Sequence, residues 1–327
     1  MNHASSTLAI SFGFATACLA QPVPDFGFNW RTIGAPGNRA TIPSEVPMWP
    51  ELQTGSVDHE YRLMRTEVTT EQYYEFLTAY IPFSGGLSGA IGNTGLWIYH
   101  DGMGGFHMFP GTNNWPATAS WRMGARMANW LHNGKVNEAW AFETGAYDTT
   151  TFTQNPDGTY NDAPHLPGAS IWIPSADELV KGHYYDPNRY GEGQSGYWLS
   201  PNGTNEELLP GLPENGGQTN ADLTIWYPDM RGMNVESYPW VHSPWGVLDG
   251  SGGEREWTET WRPLDHRRWQ VGSRFGSLGA LEDRLDYRLG WDPTTQIGGF
   301  RFASDVPAPV ALWIFVVTGF VPRRNRS

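Results

Sequence analysis

At 327 residues the chain is long enough to bury a substantial core, and its net charge of −13 excludes a nucleic-acid binder, because phosphate recognition draws on clustered Lys and Arg. Charged residues make up only 17%, whereas Gly (39), Pro (25) and Trp (17) are abundant. That mix excludes a long-helix protein and a disordered one, and describes short elements joined by many turns.

The apolar, small-residue run from Leu8 to Leu19, closed by Cys18-Leu19-Ala20, reads as a secretory signal over residues 1–20. A lipoprotein variant would use Ala15-Thr16-Ala17 before Cys18. Cutting after Ala20 removes the chain's single cysteine, leaving no disulfide, thiolate metal site or cysteine nucleophile. Trp30–Ala40 then reads as a strand and turn, and Tyr61–Arg65 as a strand. Thr69 and Gln72 have capping-box spacing, which starts a helix ending near Tyr80 with Val68, Tyr73, Phe76 and Leu77 buried. Ile81–Pro116 has no helical period and is expected to be irregular, with short strands such as Leu96-Trp97-Ile98. His100 and His107 in that stretch could meet at a metal. No close His pair occurs in the chain, however, and ordinary histidines are the simpler reading.

The clearest helix is Trp121–His132, capped by Ser120 and stopped by Asn133-Gly134. After a loop over Thr149–Gly168 comes an apolar strand, Ile171-Trp172-Ile173, and a second capping box at Ser175/Glu178. Its helix gives way near Tyr185-Asp186-Pro187. Asp186–Thr219 is dominated by Gly, Asn and Pro, with Tyr197-Trp198-Leu199 as a strand; a loop of that length usually carries function or is an insertion. The remainder, to Gly298–Ala303, reads as turns and short strands. No linker divides the core, so one domain is expected over residues 21–304.

Residues 305–327 form a separate tail. Val306-Pro307-Ala308-Pro309 precedes the apolar run Val310–Val321 and then Arg323-Arg324-Asn325-Arg326. The run is shorter than the roughly 20 residues a bilayer span needs. The order of turn, short apolar segment and arginines resembles a PEP-CTERM sorting tail, with Ala308 in place of the usual glutamate. Such a tail implies export, engagement of the export and sorting machinery, transient membrane anchoring and delivery to the cell surface.

Gly246–Trp257 concentrates acid and glycine: Asp249, Glu254 and Glu256 lie on a Gly-rich turn that runs into Trp257. Glycines let carbonyl and carboxylate oxygens converge, as calcium requires with about six to eight oxygen ligands. The plain alternative is a solvated acidic turn.

Several segments, in order, match one family. They are Arg65-Thr66-Glu67-Val68-Thr69 with Gln72-Tyr73 and Phe76, Ser120-Trp121 with Ala128-Asn129-Trp130-Leu131, and Ile173–Glu178. Gly252-Gly253-Glu254-Arg255-Glu256-Trp257 and Gly299-Phe300-Arg301-Phe302-Ala303 complete the set. From Trp30 to Ala303 the chain resembles the sulfatase-modifying-factor, or formylglycine-generating-enzyme, domain. The resemblance implies an α+β fold related to C-type lectins, with little regular secondary structure. It also implies a calcium site in which Asp249 and Glu256 supply side chains and Gly252 and Glu254 backbone carbonyls, and a second calcium near Asp222 and Asp229. A competing possibility is that Arg255 neutralises Glu254 or Glu256 and no metal binds. The family's enzymes oxidise a sulfatase cysteine with copper held by two cysteines. The corresponding segment here, Gly272–Arg288, has neither cysteine nor histidine, so the thiolates that Cu(I) selects are missing. The three-histidine iron motif of a related branch is absent too. The expected function is therefore a non-oxidising, calcium-stabilised module for a cell-envelope polysaccharide or protein. The alternative is an oxidoreductase of the same family with divergent ligands.

Overall fold

The protein is described from a computed structural model covering residues 24–86, 91–223, 232–264, 266–294 and 298–307. The signal segment, the apolar run of the tail and Asp229 lie outside these residues. Two compact units are distinguished, Asp25–Val306 and a second of Met1–Pro24 with Pro307–Ser327; only Pro24 and Pro307 of the second are described.

In Asp25–Val306 the helices are α1 (Thr70–Tyr80), α2 (Ile91–Thr94), α3 (Trp121–His132), α4 (Ala139–Glu143), α5 (Ala176–Tyr184) and α6 (Gly279–Glu282). The strands are β1 (Trp30–Ile33), β2 (Tyr61–Met64), β3 (Ile98–His100), β4 (Phe106–Met108), β5 (Ile171–Trp172), β6 (Tyr185–Asp186), β7 (Gly196–Tyr197), β8 (Glu256–Trp261), β9 (Arg268–Val271), β10 (Leu289–Trp291) and β11 (Ala303–Asp305). These short elements make an α+β fold, as the sequence leads one to expect. A four-stranded sheet has the order β1-β2-β11-β5, with Ala303 opposite both Leu63 and Trp172. A three-stranded sheet has the order β10-β9-β8, and β3-β4 and β6-β7 are two-stranded. All the strand pairs are antiparallel.

Local chemistry explains the main helices. At α1 the Thr69 hydroxyl accepts from Gln72 N at 3.3 Å, and Gln72 returns the bond to Thr69 N at 2.9 Å. At α5 Ser175 and Glu178 do the same at 3.1 and 2.7 Å. α3 starts at Ser120 and stops at Asn133, followed by Gly134 at φ 68°, a left-handed conformation that glycine adopts without strain. The buried faces of these helices meet β2, β5 and β11 in one apolar core that includes Phe76, Trp121, Leu179, Phe300 and Phe302. Each such side chain contributes about 1.5–3 kcal/mol when fully buried.

Three sequence expectations shift. The strand expected at Leu96-Trp97-Ile98 is β3, Ile98–His100, and it follows a helical turn, α2, at Ile91–Thr94. The strand expected at Tyr197–Leu199 is β7, Gly196–Tyr197, paired with β6, which directly follows α5. The region after Gly246 holds a three-stranded sheet rather than scattered strands, with a register shift between Trp257 and Trp261; the polar/apolar alternation of Arg268-Trp269-Gln270-Val271 was its signal.

Candidate functional site

The turn between Gly246 and Trp257 is stitched to the closing segment of the chain. Trp257 N donates to Gly299 O at 3.0 Å, and Gly299 N donates to Arg255 O at 2.7 Å. The Trp257 indole donates to Ala119 O at 2.9 Å. Asp249, Gly252 and Gly253 all have positive φ (54°, 72° and 56°). A Cβ on Gly253 would lie 2.6 Å from Glu67 Oε2, so both conformation and space require glycine there.

At the centre of the turn sits the fully buried Arg301 guanidinium. It donates to Met64 O (3.1 Å), Arg65 O (3.2 Å), Leu248 O (3.1 Å) and Asp249 O (3.2 Å). It also grips both oxygens of Glu256, one at 2.6 Å and the other closer. Glu256 therefore serves Arg301, which satisfies the carbonyls and carboxylate that a cation would otherwise draw together. The residue paired with Arg255 is Glu282, at 2.6 Å, and not Glu254 or Glu256.

The other expected ligands separate around this centre. The Asp249 carboxylate accepts from Glu236 N at 2.9 Å. Gly252 N donates to Ser273 Oγ at 2.8 Å. The Glu254 amide donates to Glu67 Oε1 at 2.8 Å, while its own buried Oε1 has no partner among the described residues. Burial pushes the Glu254 carboxyl up to about 8. Asp222 Oδ2 accepts from Gly279 N at 2.9 Å, and its proposed companion Asp229 is outside the described residues. Among the described residues no three His, Cys, Asp or Glu side chains are arranged to hold a metal ion. His100 and His107 stay apart in function: His100 Nδ1 accepts from Gly102 N, and His107 Nε2 pairs with Asp101 Oδ2 at 3.1 Å.

Glu67 was not singled out by its chemistry in the sequence, yet it lies at the heart of the site. It is completely buried, and its Oε2 has no hydrogen-bond partner among the described residues. Burial first, and then the negative charges of Glu256 and Asp249, push its pKa well above the usual carboxylate range. Burial likewise raises Asp249 to about 6. Glu67 and Asp249 both line a cavity of about 10 Å³, which Asn220, Ser251 and Gly253 also border; this is the room of one water or one small ion. Three buried carboxyls, Glu67, Asp249 and Glu256, face the single positive charge of Arg301. Such a surplus calls for protons or a cation. An orphaned carboxylate oxygen beside a second carboxylate and an Asn suits a hard, oxygen-seeking cation. The calcium chemistry thus fits a donor set centred on Glu67 and Asp249, and does not fit one that includes the Glu256 side chain.

His183, buried against Gly250, has its Nε2 3.9 Å from Glu256 and its Nδ1 unpartnered among the described residues. Burial lowers its pKa well below the ordinary value, so it adds no positive charge.

The following segment, Gly272–Arg288, is organised around Asp283. Its carboxylate accepts from Ser251 Oγ at 2.5 Å and from Ser273 N at 3.1 Å, and burial pushes it up to about 7. Ser251 Oγ also reaches Thr219 Oγ1 at 2.7 Å. Nothing in this network is a soft ligand.

No protein-family profile matches the sequence, and no curated protein matches it. Among solved structures, PvdO from Pseudomonas aeruginosa is similar with a TM-score of 0.50 at 16% identity, covering 88% of this chain and 99% of that one. CarF is also similar, with a TM-score of 0.47 at 17% identity over 86% of this chain and 99% of that one. The likeness to PvdO is one of fold, and it supports a formylglycine-generating-enzyme-like fold for this chain.

Proposed function

We propose that the protein is an exported binding module of the cell envelope, built on a formylglycine-generating-enzyme-like scaffold and not working as a copper oxidase. The observation that supports this reading most is the Gly272–Arg288 segment. Where the resemblance calls for two thiolates, an oxygen network around Asp283 closes on itself, and Cu(I) has no soft ligand there. Export and sorting rest on the two terminal segments of the sequence.

In the same reading calcium is a structural ion. Glu67 and Asp249 hold it at the cavity they share, with Asn220 and Ser251 beside it. Its chemistry is charge neutralisation: it replaces the protons that burial otherwise keeps on these carboxyls. Arg301 holds the adjoining half of the turn.

Incubation of the mature protein with copper, oxygen and a sulfatase-motif cysteine peptide tests the central statement. Unchanged peptide by mass spectrometry is the expected result; formylglycine would overturn the reading in favour of an oxidoreductase with divergent ligands. Cell fractionation tests the export component. The intact chain is expected at the cell surface and a chain lacking residues 305–327 is not; equal cytoplasmic retention of both would contradict it.

A further inference from the structure

The loop that follows β6 carries an exposed ring fixed more firmly than packing alone demands. Residues 188–194 form a tight turn, in which Gly191 N donates to Asn188 O (3.0 Å), Gly193 N to Asn188 Oδ1 (2.9 Å) and Tyr190 N to Gln194 O (2.9 Å). The Tyr190 hydroxyl points inward and donates to the fully buried Glu45 at 3.2 Å. Arg189 lies between two rings, its guanidinium carbon 4.8 Å from the Tyr190 centroid and 4.9 Å from that of Trp198. The same guanidinium reaches Glu45 at 3.3 Å and Asn205 Oδ1 at 3.2 Å. Trp198 is anchored in turn by its indole N–H to Asp186 at 3.0 Å. Gly196 supplies the clearance, since a Cβ there would lie 2.5 Å from the Tyr190 ring.

For all this anchoring, Tyr190 remains 52% exposed. Glu45 does not need it: Arg39 grips both carboxylate oxygens at 2.7 Å, and Ile42 N and Tyr197 N add further bonds. The column Trp198–Arg189–Tyr190 thus ends in a pre-ordered aromatic surface facing solvent. Around it, the amide NH₂ groups of Asn188 and Asn205 and the whole side-chain amide of Gln194 have no partner among the described residues, and all three residues are exposed. An apolar ring face bordered by unengaged amides is complementary to a pyranose, which offers a C–H face and a rim of hydroxyls. A ring already immobilised loses little entropy on binding. Exposed Glu192 on the same turn, and exposed Glu206 and Glu207 beside Asn205 beyond β7, repel an anionic polymer or an anionic membrane surface.

We propose that Tyr190 is the stacking platform of a binding site for a neutral polysaccharide, with Asn188, Gln194 and Asn205 as hydroxyl-binding amides. The inference rests on the reading of the protein as an envelope-binding module, and assigns that module its site and its ligand class. Calorimetric titration of the mature protein tests it, with cellohexaose and N-acetylchitohexaose as neutral probes and a hexameric alginate fragment as the anionic one. At least one neutral probe is expected to bind, with alginate inert. Tyr190→Ala is expected to weaken binding about tenfold, the loss of one stacking contact, and Tyr190→Trp to preserve it. Gln194→Ala, on the exposed turn, is expected to weaken it about threefold. Far-ultraviolet circular dichroism of each variant separates lost binding from lost fold. Neutral-probe binding unchanged in folded Tyr190→Ala would overturn the site while leaving a polysaccharide-binding module standing. Binding of alginate alone would overturn the ligand class, and no binding of any probe would overturn the proposal outright. None of these results depends on the copper and peptide assay.

Discussion

Glu67 and Asp283 are both buried carboxyls with raised pKa values, and they belong to adjoining parts of one site. Asp283 is answered on the spot: Ser251, Ser273 and the turn around them supply neutral donors, and the network closes. Glu67 is answered only on one side. Its Oε1 accepts from Glu254 N, while Oε2 has no partner among the described residues, and Glu67 lines a small cavity that Asp249 also lines. A buried acid with neutral donors is a structural element, whereas one with an orphaned oxygen and room beside it is poised for a cation or a proton. The difference separates the part of the site that holds the fold by itself from the part that needs something added.

The contrast breaks most severely if Arg301 is removed. Arg301→Met strands Glu256 and four backbone carbonyls in the interior, and a loss of about 3–5 kcal/mol is expected in chemical denaturation. Arg301→Lys should recover only part of this, because an ammonium cannot reproduce the planar fork. A near-neutral Arg301→Met would show that the guanidinium is not the organising cation of the turn.

The pH dependence sharpens the comparison further. Folded-state values of about 6 for Asp249, about 7 for Asp283 and about 8 for Glu254 all lie above the unfolded references of 3.8, 3.8 and 4.5. The fold therefore holds protons that the unfolded chain has released. Stability from this source is fully present below the unfolded values and is lost as pH rises through the folded ones. In metal-free buffer, stability measured by urea denaturation is expected to fall between about pH 6.5 and pH 8, above the range in which the neutral, buried His183 contributes the opposite slope. Below about pH 6 Asp249, Asp283 and Glu254 all contribute to the slope; calcium should remove the Asp249 share and leave the Asp283 share in place. A profile that rises with pH would contradict the assignment of these groups.

Smaller effects follow from the closed half and the helix ends. Asp283→Asn retains an acceptor for Ser273 N and should cost about 1 kcal/mol, equally with and without calcium. Thr69→Ala removes one N-cap acceptor from α1 and should cost about 1 kcal/mol, again without reference to metal. Calcium dependence in either variant would mean that the two halves of the site are not separate.

Local chemistry was readable from the sequence, and long-range pairing was not. Both capping boxes, the Ser120 cap and the Asn133-Gly134 stop depend on residues within a few positions of each other, and each forms as its spacing implies. Glu256, by contrast, was placed among calcium ligands by the resemblance; the structure pairs it with Arg301, far along the chain, and spacing carries no information about that encounter. Glu67 was visible only as part of a segment leading into α1; its importance comes from burial and from an oxygen left without a donor, neither of which a string of residues displays. The sheet of β8, β9 and β10 was underestimated for a related reason: its alternation was present, but frequent turn residues around it diluted the signal.

The proposal of a cation at the cavity lined by Glu67 and Asp249 is tested most directly by thermal melting of the purified protein at pH 7, with and without calcium, for the parent and for Glu67→Gln. The substitution keeps an oxygen for Glu254 N and removes the charge from the cavity. In the parent, a calcium concentration about a hundred times Kd should add about 2.7 kcal/mol of stability and raise Tm, and Glu67→Gln should abolish most of that gain. A parent whose Tm is indifferent to calcium would contradict the account, as would a Glu67→Gln variant that responds as strongly as the parent.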